Sequence, residues 1–175
     1  LPYLPRLLQY ARRLPGNDAE AEDLVQSTYL NALRGWHTFQ PGSDVARWLF
    51  TVCRNTFFRS RRKKDDSVSL ESPELESLAG AREAASFLGQ LGDDWQQQPD
   101  LAAAIDTAIA ALPDSLRVLV MMIDVEGYSY EEAAQAEGIP VGTVRSRLYR
   151  ARRQLQQALA QYAEDLGLRT GGQGA

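Results

Sequence analysis

Two clusters of side chains in this 175-residue chain have the types and spacing to do chemistry, and in both the chemistry is recognition of nucleic acid. Residues 141–153 hold Arg145, Arg147, Arg150, Arg152 and Arg153 and no acid, with Thr143, Ser146 and Tyr149 among them. Arginine donates in bidentate fashion to guanine or phosphate, and small hydroxyls bond phosphates or base edges. The residues ahead form a mount for this strip. Ser129 and Glu132 have capping-box spacing, Ala133-Ala134 make a slim short helix over 130–137, and Gly138-Ile139-Pro140 is a tight turn. Val144, Leu148, Ala151, Leu155 and Leu159 then give a last helix, about 141–163, an inward stripe. That stripe leaves Thr143, Arg145, Ser146, Arg147, Tyr149 and Arg150 on other faces, as in a helix-turn-helix that enters the major groove. Its first amides, near Val141–Thr143, suit a phosphate. A lone basic run reads first as a solvated face; here a cap, a slim helix, a turn and an acid-free arginine strip coincide.

The second cluster spans residues 36–64. Trp36, Phe39, Trp48, Phe50, Phe57 and Phe58 are interleaved with Arg47, Arg54, Asn55, Arg59 and Arg61. Aromatic rings beside cations suit single-stranded nucleic acid, whose bases stack while its phosphates pair; a flipped base could rest on Asn55 and a ring. A three-helix core with a basic rim explains the composition equally well. Trp48 is the clearest core aromatic, and the adjacent Phe57 and Phe58 cannot both point inward in the same way.

Other chemistries are excluded by counting. One histidine, His37, and one cysteine, Cys53, build neither an ordinary zinc site nor a triad. Phosphate loops and nucleophile elbows are absent. No cofactor, metal or catalytic residue is expected. A single cysteine forms no internal disulfide and suits a reducing cytoplasm; beside Arg54 it reads as a small apolar residue rather than a redox sensor. No apolar run approaches the ~18 residues of a membrane span.

Charge and periodicity divide the chain. Residues 1–64 carry 11 Lys/Arg and 5 Asp/Glu, residues 65–100 carry 1 and 9, and residues 101–175 carry 7 and 9. The whole is −4, yet local charge selects partners. The first block reads as three helices. The first has Leu4, Leu7, Leu8, Ala11 and Leu14 inward and stops at Pro15-Gly16. The second starts at Asn17-Asp18, buries Ala21, Leu24, Val25, Thr28 and Ala32, and ends near Gly35. An aromatic loop over 36–43 leads to a third helix capped by Ser43 or Asp44, with Val45, Trp48, Leu49, Val52 and Thr56 inward. Residues 65–100 read as an acidic linker with a short helix near 82–91. Beyond it, Leu101, Ala104, Ile105, Ala108, Ile109 and Leu112 mark one helix, and Leu116, Leu119, Val120 and Ile123 the next, broken at Gly127. The expected fold is all-α: a helical domain at 1–64, a flexible linker at 65–100, a helix-turn-helix domain at 101–163 and a frayed tail at 164–175. The acidic linker is expected to compete for both basic strips, so that the free protein binds DNA poorly.

These residues together resemble the extracytoplasmic-function (ECF) sigma factors of bacteria, the two-domain members of the sigma-70 family. The stretch Asp18 to Leu30 resembles sigma region 2.2. Phe39 to Asn55, with Trp48-Leu49-Phe50 and Arg54-Asn55, resembles regions 2.3 and 2.4. Leu112-Pro113, Gly127 to Ala134 and Ile139 to Leu148 resemble region 4. The resemblance implies a non-catalytic specificity subunit of RNA polymerase. Glu22, Asp23, Leu24 and Gln26 would bind the polymerase core at the β′ clamp coiled coil, with further contacts to the β subunit. Phe39, Gln40, Ser43, Thr51, Arg54, Asn55, Arg59, Arg61 and Arg62 would melt and hold the −10 element. Thr143, Arg145, Ser146, Arg147, Tyr149 and Arg150 would read the −35 duplex. An anti-sigma factor is the implied inhibitor. Where many relatives have Arg-Gly after the aromatic at position 39, this chain has Gln40-Pro41-Gly42. Two other readings are a dimeric helix-turn-helix regulator, which leaves the aromatic block unused, and an enzyme, for which no site is evident.

Overall fold

Helix-forming stretches punctuated by Pro-Gly and capping residues produce seven α-helices and no strand among the described residues, 1–64 and 93–165 of a computed structural model. The short helix expected near 82–91, most of the acidic stretch and the tail 167–175 lie outside them.

Helix α1, Leu4–Arg12, carries Pro5 in its first turn and buries Leu7, Tyr10 and Ala11. Its stripe is rotated from expectation: Leu4 is exposed, and Tyr10 takes an inward place that the apolar count had passed over. Asn17 caps α2, Asp18–Arg34, by accepting the Glu20 N–H at 2.8 Å. The five inward residues expected of α2 are all buried. A 3₁₀ turn at Trp36–Thr38 leads to α3, Val45–Lys64. Asp44 caps α3 by accepting the Ala46 N–H at 2.8 Å, while Ser43 Oγ donates to the Gln40 carbonyl. Helices α1, α2 and α3 pack against one another.

The buried stripe of α3 is Ala46, Leu49, Cys53 and Phe57, one position off the expected one. Trp48 is half-buried and rests edge-on against Trp36 and Phe39, with ring centroids 5.6 and 5.4 Å away. Phe57 and Phe58 are both buried although adjacent. A helix covered on one side cannot do that; α3 is covered on two, because Arg117 of the second block spreads its guanidinium over both rings at 5.3 and 5.9 Å.

The second block begins earlier than its periodicity indicates. A 3₁₀ turn at Asp93–Gln97 inserts Trp95 into the core, with the Arg13 guanidinium 5.4 Å from its ring centre. Residues 93–100 are therefore folded, not linker. Helix α4 spans Pro99–Ala110 and α5 spans Asp114–Val120. Helix α5 is buried nearly all round, Arg117 and Val118 joining the expected Leu116, Leu119 and Val120, and Met121 and Met122 continue the buried run just beyond it. An all-round apolar helix marks an element with neighbours on every side: α5 lies on the last helix and also presents Arg117 to the first block. The chain then widens into a π-helical turn, Met121–Val125. Helix α6, Tyr130–Glu137, has the expected capping box, and Gly138 ends it. The last helix, α7, spans Val141–Asp165 and packs on α4, α5 and α6. One apolar cluster runs through both blocks.

Gly16, in the turn between α1 and α2, has φ +85°, and a Cβ there would stand 2.8 Å from the Ala110 Cβ of α4. Gly16→Ala is expected to lower stability by ~1–3 kcal/mol from backbone strain, plus the clash. Urea unfolding checks this. Adding Ala110→Gly is expected to restore the clash component and leave the strain.

Candidate nucleic-acid interface

The last helix divides as its sequence requires. Val144, Leu148, Ala151 and Leu155 are buried against α5 and α6, and Arg145, Tyr149 and Arg150 stand in solvent. Thr143, Ser146 and Arg147 are half-buried at the same end, with Ser146 Oγ donating to the Thr143 carbonyl at 3.1 Å. Arg152 has a different task. It is buried and donates from Nη2 and Nε to the Asp124 carboxylate at 2.7 and 3.2 Å. Burial disfavours its cationic form, but the Asp124 hydrogen bonds and charge outweigh that and raise its pKa. Of the arginines in 141–153, then, Arg152 ties α7 to the π-helical turn and so fixes the pose of the exposed ones.

The residues proposed from sequence for a single strand do not form one open surface. Gln40, Ser43, Asn55, Arg59, Arg61 and Arg62 are exposed and Phe39 is half-buried in the tryptophan cluster. Arg54 is 4% exposed, closed off by the second block. It donates from Nη1 to Glu126 Oε2, and Tyr10 Oη donates to Glu126 Oε1 at 2.6 Å. Thr51 Oγ1 lies 3.0 Å from Tyr128 Oη, and the Tyr128 ring sits under Arg47 and Arg54, 4.7 and 5.3 Å from their guanidinium carbons. Further out, Arg61 pairs with Asp114 at 2.6 Å and Arg62 with Glu137 at 3.6 Å. On the other flank Arg13 pairs with Asp106 at 2.8 Å, and Arg117 donates to the Leu14 carbonyl. The basic first block thus meets acids of the second block; the expected competition by the acidic linker falls on residues 65–92, which lie outside the described residues.

Burial sets the electrostatics of this network. It pushes the Glu126 carboxyl above its ordinary range, against the pull of Arg54 and the Tyr10 hydroxyl. Burial would lower Arg54, but Glu126 and Tyr10 hold it above its usual value, so it stays cationic. Tyr10 is raised by burial and by the Glu126 charge. Arg54 Nε finds no hydrogen-bond partner among the described residues.

On α2, the acids offered for a protein partner, Glu22 and Asp23, are exposed, as is Gln26. Leu24 is 8% exposed, because it belongs to the inward stripe of the same helix; its part is packing. Tyr10, Glu126 and Tyr128 were missed as site residues. The signal for Glu126 was available: an acid between an apolar run and Gly127, with no local basic partner. Among the described residues no group of three His, Cys, Asp or Glu is placed to hold a metal, and no helix is long and apolar enough to cross a membrane.

A helical bundle with an aromatic, basic third helix, followed by a helix-turn-helix with an arginine face, defines a two-part all-α class. Comparison with known proteins places the chain within it. Residues 1–66 match Sigma-70 region 2, and residues 102–155 match Sigma-70, region 4. The chain is 37% identical over 172 residues to the ECF RNA polymerase sigma factor EcfG of Rhodopseudomonas palustris strain TIE-1, covering 95% of this chain and 87% of that one. It is 31% identical over 165 residues to the RNA polymerase sigma-H factor of Pseudomonas aeruginosa PAO1, covering 91% and 83%. Its fold is similar to the sigma factor RpoE from Bartonella quintana, solved in complex with the anti-sigma factor NepR, at TM-score 0.55 and 32% identity over 90% of this chain and 91% of that one. The chain belongs to the ECF sigma factors of the sigma-70 family.

Cys53 lies within this core, fully buried, and burial raises its thiol pKa to about 12 against the lowering influence of the Thr28 side chain. The thiolate is the reactive species, so native protein at pH 8 is expected to leave Cys53 unmodified by a disulfide reagent, with full reaction in denaturant. Rapid reaction of the native thiol contradicts this placement.

Proposed function

We propose that this sigma factor binds core RNA polymerase and carries it to a particular set of promoters, without catalysis of its own. The proposed division of labour follows the chain. Residues 1–64 engage the polymerase and the −10 element, the acidic stretch from 65 connects, and the second block, folded from Asp93 to Asp165, reads the −35 duplex. The observation that carries this reading is the face of α7: Arg145, Tyr149 and Arg150 exposed together, with Val144, Leu148 and Ala151 buried behind them. Such a face fits the major groove, where each bidentate arginine discriminates between bases. On α2, Glu22, Asp23 and Gln26 form an exposed polar face suited to the β′ clamp coiled coil, and the β subunit is a second proposed contact. Phe39, Gln40, Ser43, Asn55 and Arg59 are proposed to receive the melted −10 strand, joined by Thr51, Arg54, Arg61 and Arg62. An anti-sigma factor is the proposed inhibitor, by analogy with the complex of the Bartonella relative with NepR. A cytoplasmic location is part of the same proposal.

Co-purification with core polymerase, followed by run-off transcription from a pooled promoter library, tests the whole reading. Transcripts sharing an upstream element and a −10-like element are expected. A palindromic site selected by the free protein without polymerase would replace it with the dimeric regulator. Within that assay, Asp23→Arg is expected to abolish co-purification while leaving the helical circular dichroism unchanged, since the side chain is exposed. Arg145→Ala and Arg147→Ala are each expected to weaken binding of the polymerase-bound protein to upstream duplex by ~1–3 kcal/mol, read from holoenzyme titrations.

A further inference from the structure

The turn after the π-helical segment places three groups against the first block, and the chemistry of all three is that of a nucleotide. Glu126 supplies an anion, Tyr128 a flat ring, and the Tyr128 hydroxyl a hydrogen-bonding edge. Arg54 holds the anion, Arg47 and Arg54 cover the ring, and Thr51 meets the edge at 3.0 Å. Arginine takes carboxylate and phosphate with the same planar fork, and it stacks on aromatic rings as it does on bases. Gly127 makes the presentation possible. Its φ of +77° lets Glu126 and Tyr128 project to the same side, and a Cβ at that position would meet no atom within 4 Å, so the backbone angle alone demands glycine. The π-helical turn sets the entry: the Glu126 N–H reaches back to the Met121 carbonyl at 2.9 Å.

We infer that the segment Glu126-Gly127-Tyr128 is an internal nucleotide mimic: it occupies the Thr51–Arg54 face of α3 when no nucleic acid is bound, so that the two blocks must part before that face accepts a single strand. The inference rests on the proposed −10 reading and adds its regulation. It makes the closed arrangement a direct competitor of DNA for the same cations. The outer pairs Arg61–Asp114 and Arg62–Glu137 repeat the pattern, since each also takes a first-block arginine with an acid of the second block. The mimic is an incomplete ligand, because Arg54 Nε is buried without a partner. A buried donor left unmade is a cost to the closed state, which a backbone phosphodiester, with two unesterified oxygens open to the guanidinium fork, removes. Asn55 and Arg59, exposed on the same helix, are where a strand would first touch.

The test uses the full chain and two substitutions, Glu126→Gln and Tyr128→Ala. Each is assayed for radius of gyration by X-ray scattering and for binding of a short fluorescein-labelled single-stranded DNA of mixed sequence at fixed salt. Glu131→Gln, an equal charge change on an exposed residue of α6, sets the baseline for net charge. An increased radius together with about tenfold or more tighter binding than that baseline is expected, since apparent affinity rises as the competent fraction rises. Expansion with affinity at the baseline overturns the inference by showing that the uncovered face is not a DNA site, and it removes the −10 reading of α3 as well. An unchanged radius and unchanged affinity, with helical content intact, overturns the mimic alone; run-off transcription then judges the −10 reading separately. Should Glu126→Gln lose its helical signal, Tyr128→Ala, at a half-buried residue, carries the test.

Discussion

The arrangement of this molecule depends on one buried ion pair, Arg54 with Glu126, completed by the Tyr10 hydroxyl. Each member comes from a different helix or turn, and the pair joins residues 72 apart in sequence. Neither charge tolerates burial alone, because desolvating an unpaired ion is far more costly than an ordinary packing defect. Closure of the two blocks is therefore what permits Arg54 to be buried, and Arg54 is what gives Glu126 a reason to turn inward. Removing either partner leaves the other as an uncompensated buried charge, which makes such pairs poor sources of net stability and good determinants of geometry.

Around that centre the interface is built by charge complementarity. The first block has an excess of basic residues, and the second offers Asp106, Asp114, Glu126 and Glu137 to Arg13, Arg61, Arg54 and Arg62. Apolar burial adds to it where Phe57 and Phe58 lie beneath Arg117 and where Trp95 lies beneath Arg13. The outer pairs are exposed and weak individually; the inner ones are shielded from salt. Ionic strength accordingly acts first on the rim.

The two proposed DNA faces are treated differently by this architecture. The face on α7 is open, with Arg152 spent on Asp124 to hold it in place. The face on α3 is half covered, its exposed residues lying beside ones buried under the second block. Under the proposed function such an asymmetry suits the two tasks, since a duplex reader needs no opening and a strand reader does.

Much of this was legible from the chain. Helical spacing, Asn17, the capping box of Ser129 and Glu132, and Gly138 located the helices, because caps and periodicity are local and each acts within a few residues. The core-facing residues of α2 and α7 were legible for the same reason. The inward stripe of α3 was displaced by one residue, because a single-face rule assumes a helix covered on one side only; the adjacent Phe57 and Phe58, which could not both point inward in the same way, are each buried because α3 is covered on two sides. Trp95 was read as linker, since its surroundings are polar and its partner, Arg13, is 82 residues away in sequence. Local sequence thus determined the helices, their caps, the arginine face and, through family motifs, the sigma-factor class. Tertiary structure alone decided which arginines remain free. Whether a cation faces solvent or an acid depends on long-range burial and on the desolvation it imposes, and no spacing along the chain encodes that Arg54 and Glu126 will be taken out of water together.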